Sequence, residues 1–169
     1  MLFFISACPT AVFADDTLPT VQFPIGLYSA NIPNMKRVSE LGFTFVVGGD
    51  DTMYIRSARD NGLDVVANTF YRGDTASRQK ISRIRNEPNL IANVVVDEPD
   101  IYNKPPELVK RLSEEVKVLD PDHPLYITTW IPANYSKYKK YADIFSVTPY
   151  PINSTDTFQD LSLVYKSIY

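Results

Sequence analysis

The chain has 169 residues, 44% of them hydrophobic, with 17 Lys and Arg against 20 Asp and Glu and a formal net charge of -3. That length and balance favour one domain with a real core, and the absence of a basic stripe speaks against a nucleic-acid partner. One cysteine, Cys8, excludes an intramolecular disulfide, and one histidine, His123, makes multi-histidine zinc sites and a Ser-His-Asp triad poor fits.

Leu2 to Ala14 is uncharged and mostly apolar, and Val12-Phe13-Ala14 before Asp15-Asp16 fits a signal-peptidase site. The expectation is an exported, extracytoplasmic protein with a signal over residues 1–14, a linker over 15–22 and a domain over 23–169. Ile5-Ser6-Ala7-Cys8 resembles a lipobox, so a lipid anchor at Cys8 is the alternative to ordinary cleavage.

From residue 23 onward short apolar runs alternate with amphipathic segments. Phe23–Tyr28 reads as a strand, and Pro33 opens a helix carrying Met35, Val38 and Leu41 inward, which Gly42 stops. Phe43–Val47 is the second strand, followed by a helix from Thr52 to Asn61 that ends at Gly62. Leu63–Ala67 and Leu90–Val96 are the third and fourth, separated by a helix over Ala76–Asn86. The clearest helix follows Pro105-Pro106, with Leu108, Leu112, Val116 and Leu119 at helical spacing, and stops at Asp120-Pro121. Leu125–Thr129 is the fifth strand. A short helix over Tyr135–Tyr141 precedes the sixth, Ile144–Thr148, and Thr157–Tyr169 reads as a last helix.

Such continuous apolar strands are buried on both faces, which implies a parallel sheet with helical crossovers. The spacing fits six βα units of a (β/α)8 TIM-type barrel, with a doubly wound open sheet as the alternative. No Gly-rich dinucleotide fingerprint follows the first strand and there is no P-loop, so no cofactor is implied.

Barrel active sites lie at the C-terminal ends of the strands. Here these ends carry Tyr28, Asp50, Asp51, Asn68, Tyr71, Asp97, Glu98, Trp130 and Tyr150. Glu98 leaves a dry strand into the prospective pocket, the placement a general acid needs; the competing role is a helix cap or an arginine partner. Asp50, Asn68, Asp97 and the aromatic residues are candidates for sugar contacts. Asp51 suits an N-cap better. Trp130, the only tryptophan, is either a stacking platform or a rim residue. His123 falls on the opposite, stability face.

Phe23-Pro24-Ile25-Gly26-Leu27-Tyr28, then Leu41-Gly42-Phe43-Thr44-Phe45-Val46, resembles the opening of bacterial barrel proteins of the glycoside-hydrolase superfamily. Val95-Val96-Asp97-Glu98-Pro99-Asp100 resembles their fourth-strand "DEP" segment, and Ala142–Ile152 their sixth. The likeness runs over about residues 23–155. It implies a carbohydrate ligand, an acid/base role for Glu98, and a nucleophile at the end of a seventh strand, with Asp97 standing where those enzymes usually have Asn. Glycoside hydrolysis takes two carboxylates, ~5–5.5 Å apart for retention or ~6.5–9.5 Å for inversion, and one can be matched here. Six units leave open strand edges, which closed barrels avoid. The expectation is therefore a C-terminally truncated member, inactive alone, whose edges are covered by further units, a partner chain or a second copy. A non-catalytic carbohydrate-binding module is the alternative. A metal-dependent hydrolase using Asp50, Asp97 and Glu98 is less favoured, because no histidine lies on that face.

Overall fold

The computed structural model describes residues 2–4, as backbone, and residues 23–148. Seven strands form one sheet in sequential order: β1 (Leu2–Phe4), β2 (Ile25–Tyr28), β3 (Phe45–Gly48), β4 (Asp64–Ala67), β5 (Leu90–Val96), β6 (Leu125–Thr129) and β7 (Ile144–Val147). β1 was not expected: a piece of the apolar N-terminal segment pairs antiparallel with β2, Leu2 opposite Leu27. The other six strands are parallel. Helices α1 (Met35–Glu40), α2 (Thr52–Asp60), α3 (Thr75–Ile84), α4 (Pro106–Leu119) and α5 (Tyr135–Tyr138) supply the crossovers. The last predicted helix, the lipobox and Tyr150 lie outside the described residues.

Each parallel strand adds beside its predecessor, so the order never reverses. A doubly wound sheet has a reversal and takes helices on both faces; neither occurs among the described residues. Its strands curl into a half-barrel with the helices outside.

The two faces of the sheet bury different sets. Facing out, Val46, Val65 and Ala67 pack with Met35 and Val38 of α1 and Ile55 and Ala58 of α2. Further along, Val95, Leu125 and Ile127 pack with Ile81 of α3 and Val109, Leu112 and Val116 of α4. Facing in, Phe45, Val47, Val66, Ala92, Val94 and Tyr126 form a separate core, with Tyr28 and Ile144 against it. Burial on both faces is why these strands read as apolar runs rather than alternating ones. Gly26 has a steric reason: a Cβ there would stand 2.2 Å from the Phe45 ring.

Turn chemistry follows the expected rules. Gly42 and Gly62, after α1 and α2, take left-handed φ of 86° and 69°. Asp51 and Asp74 cap α2 and α3 by accepting from Tyr54 N at 2.9 Å and Ser77 N at 2.7 Å. Leu41 differs from expectation. It is 58% exposed because α1 ends at Glu40, so only Met35 and Val38 face the core.

At the N-terminal end of the barrel, Asn93 donates through Nδ2 to Asp120 Oδ2 at 2.8 Å, and His123 Nδ1 lies 2.8 Å from Asp120 Oδ1. Asp120 and Asn93 are buried. This network staples β5 to the turn before β6, a structural place for His123, as its turn context implied.

Candidate functional site

The site is set by an irregularity at the end of β5. Val94 pairs with Tyr126, but the next partner, Ile127, pairs with Val96, leaving Val95 as an extra residue. Val95 and Val96 therefore both pack outward. The bulge shifts the in-out phase by one, so Asp97 turns inward where strict alternation would turn it out.

Glu98 follows with φ of 42°, a left-handed backbone that a residue with a side chain enters at a cost of about 1–2 kcal/mol. It reverses the chain: Glu98 O accepts from Ile101 N at 3.1 Å, so the strand ends in a turn. Both acidic residues thus stay at the rim.

Two threonines hold them. Thr128 Oγ1, from β6, donates to Asp97 Oδ1 and accepts from Glu98 N at 3.1 Å. Thr148 Oγ1, just past β7, donates to Glu98 Oε1 at 2.8 Å. Both threonines are buried, and charge-assisted bonds of this kind are among the stronger ones.

Tyr28, at the end of β2, completes the arrangement from the far side. Burial raises its pKa most, followed by the charge of Asp97, and Asn68 bonds to its hydroxyl; Tyr126 and Glu98 act on it too. In a flat sheet β2 and β5 would stand about 14 Å apart, at about 4.8 Å per strand. A direct effect of β5 carboxylates on a β2 phenol therefore requires the sheet to curl. Tyr126, buried on β6, bonds to Ser146 and feels Asp97 as well. Asn68 leaves its buried Oδ1 without a hydrogen-bond partner among the described residues.

Of the residues predicted for this site, Tyr28, Asn68, Asp97 and Glu98 come together in this cup. Asp50 sits in the loop after β3, tied to Lys80 of α3. Tyr71 goes elsewhere: its ring is buried in the outer layer beside Val95 and α4, and its hydroxyl donates to Glu115 Oε2 at 2.8 Å. Burial, then that bond, pushes its pKa up to about 12. Trp130 is half-buried, and its backbone N donates to Asp100 Oδ2 at 3.0 Å. Tyr150 lies outside the described residues.

Sequence reasoning missed Thr128, Thr148, Tyr126 and Asp100. Asp100 is 3% exposed and also accepts from Ile131 N at 2.6 Å, so one carboxylate joins the loop carrying Glu98 to the loop carrying Trp130. An acid following Asp97-Glu98-Pro99 was visible in the sequence, but its backbone partners lie 30 and 31 residues away. Among the described residues no group of three or more His, Cys, Asp or Glu is arranged to hold a metal ion.

No family model matches the chain, and no curated protein does. Solved structures do match. A β-D-glucuronidase of Dictyoglomus thermophilum aligns with TM-score 0.59 and 18% identity, over 83% of this chain and 33% of that one. A Bacteroides uniformis β-glucuronidase gives TM-score 0.59 and 12% identity, over 83% and 22%. A Parabacteroides merdae β-glucuronidase with glycerol in its active site gives 0.56 and 15%, over 86% and 23%. The likeness is one of fold. This chain spans a third or less of the length of those proteins.

Proposed function

We propose that the cup binds a sugar ring and that Glu98 serves as the general acid/base of a glycoside-hydrolase-type site. The observation that carries this is the convergence of Asp97, Glu98, Tyr28 and Asn68 from three strands at the C-terminal rim, with Glu98 on a strained backbone. Strain kept at such a position is typical of functional sites. Hydroxyl, amide and carboxylate groups side by side suit a polyol, which offers a donor and an acceptor at each hydroxyl. The fold shared with β-glucuronidases makes β-glycosides the ligands to try first.

In hydrolysis Glu98 would deliver a proton to the glycosidic oxygen as its bond to the anomeric carbon breaks, then take one from the incoming water. The partner carboxylate in this reading belongs to a seventh parallel strand, which would follow β7. Among the described strand ends, Asp97 shares a strand with Glu98 and Asp50 is tied to Lys80. That favours a second reading for these residues alone: they bind sugar without cleaving it. We further propose an extracytoplasmic location, with residues 1–14 as the export signal; cleavage there would remove β1 and leave β2 as an edge strand. N-terminal analysis of the secreted protein is expected to find a chain starting at Asp15, or a lipid on Cys8.

Titration of the purified chain with methyl β-glycosides, followed by calorimetry or ligand NMR, tests the site. Tyr28→Phe and Asn68→Ala are each expected to weaken binding about tenfold, the loss of roughly one buried hydrogen bond. Failure to bind every sugar would overturn the carbohydrate reading. Turnover of aryl glycosides by the 169-residue chain, abolished in Glu98→Gln, would overturn binding without cleavage.

A further inference from the structure

The charge of the cup points to the class of sugar it accepts, an inference that rests on the carbohydrate reading above. The groups that meet there are Asp97, Glu98, Tyr28, Asn68, Thr128 and Thr148: two acids and four neutral donors or acceptors. Among the described residues the loops and helix starts that follow β4 and β5 carry the cations Arg72, Arg78, Lys80 and Lys104. Lys80 is engaged with Asp50, Arg78 with Glu115 in the helix layer, and the charge of Arg72 acts on Asp74 at the start of α3. Asp97 is the acid that the bulge in β5 turns inward. Its carboxylate accepts from the buried Thr128 hydroxyl, a neutral group.

Burial first, and then the charge of Asp97, opposes ionisation of the Tyr28 phenol across the cup. A ligand carboxylate would meet the same field and shed water to enter, gaining no counter-charge from the six groups named. An ammonium group would gain what the carboxylate loses, and a neutral hexoside would do neither.

We propose that Asp97 is a specificity-determining residue that makes this cup select neutral and amino sugars over uronic acids. The Dictyoglomus and Bacteroides uniformis structures that share the fold are named as β-glucuronidases, for an anionic sugar; the likeness in fold does not extend to this preference. A unit charge pair some 6 Å apart in a solvent-bathed cup changes affinity about three- to tenfold.

The test uses the full chain and three ligands: methyl β-glucosaminide, methyl β-glucoside and methyl β-glucuronide. Affinity is expected to fall in that order, with each step about three- to tenfold. In Asp97→Asn, whose amide oxygen still accepts from Thr128, the glucoside-to-glucuronide ratio is expected to shrink toward one. With the unmodified chain, raising salt from about 0.01 to about 1 M, where the Debye length falls from about 30 to about 3 Å, is expected to narrow the same ratio. That measurement stands even if the variant folds poorly. Glucuronide binding as tight as glucoside, or a ratio unmoved by both the variant and salt, overturns the proposal and leaves the carbohydrate reading intact. Failure of all three sugars to bind overturns both.

Discussion

Thr148 holds the Glu98 carboxylate across 50 residues of sequence, its hydroxyl donating to Oε1 at 2.8 Å while lying 3.2 Å from the Thr129 carbonyl oxygen. The hydroxyl has one proton, and the carboxylate is the nearer and stronger acceptor. Thr148→Val keeps the shape and removes the bond. It is expected to lower stability by about 1.5–3 kcal/mol, the range for hydrogen bonds to charged groups, and to weaken glycoside binding by loosening the hold on Glu98. A urea unfolding curve indistinguishable from the parent's would show that the bond contributes nothing.

Glu98 itself trades stability for position. Glycine tolerates its φ of 42° without strain. Glu98→Gly relieves the backbone strain and the proximity of Asp97, and loses the Thr148 bond. Relief of about 1–2 kcal/mol of strain is set against a bond worth about 1.5–3 kcal/mol, so the expected result is stability from equal to the parent's to about 2 kcal/mol lower, with glycoside binding lost. Glu98→Ala loses the same bond without relieving the strain and should be less stable than Glu98→Gly; equal stability of the two variants would mean the strain is not there to relieve.

Asp100→Ala removes the buried carboxylate that accepts from the backbone N–H groups of Trp130 and Ile131 in a part-buried place. A cost of about 2–3 kcal/mol is expected. Trp130 is the only tryptophan in the chain, so its fluorescence reports the loop alone. Its emission should change at low denaturant, before the global transition; coincident transitions would deny a local role.

Gly26→Ala places a Cβ 2.2 Å from the Phe45 ring, inside the barrel where the ring has little room to retreat. Overpacking of this kind costs about 1–3 kcal/mol, and thermal unfolding should register it. Gly62→Ala, with nothing within 4 Å but a φ of 69°, should cost less, through backbone strain alone.

Stability should fall at both ends of the pH scale. Tyr54, Tyr71 and Tyr135 are each pushed up to about 12, by burial first. A folded pKa above the unfolded value of about 10 means their contribution is whole below pH 10 and is lost as pH climbs toward 12. Asp143 is held below the usual carboxylate range by the Leu125 N–H, which outweighs its partial burial, and then by Lys117. Its contribution is present above about pH 4 and is lost as pH falls through its lowered value. Tyr71→Phe should flatten part of the alkaline limb and Asp143→Asn part of the acid limb in denaturation curves taken across pH. Phenol absorbance in which all eleven tyrosines titrate in the ordinary range while the fold persists would contradict the first.

The sequence alone determined what local rules control. Apolar runs marked the six parallel strands, Gly42 and Gly62 marked helix ends, Asp51 marked a cap, and the strand ends gave a short set of residues that includes Glu98. These follow from backbone sterics and from the period of each element, both readable within a few residues. Tertiary structure decided the rest. Whether Asp97 faces in depends on one extra residue in β5, because a bulge reverses the phase of every side chain after it. Tyr71 left the candidate cup for the outer layer because Glu115, 44 residues on, offered its hydroxyl a partner there. Thr128, Thr148 and Tyr126 became part of the site only because the sheet curls, bringing strands far apart in sequence to one rim. The acid was legible from its place at a strand end; what holds it, and the field around it, were set by partners that only the closed fold brings near.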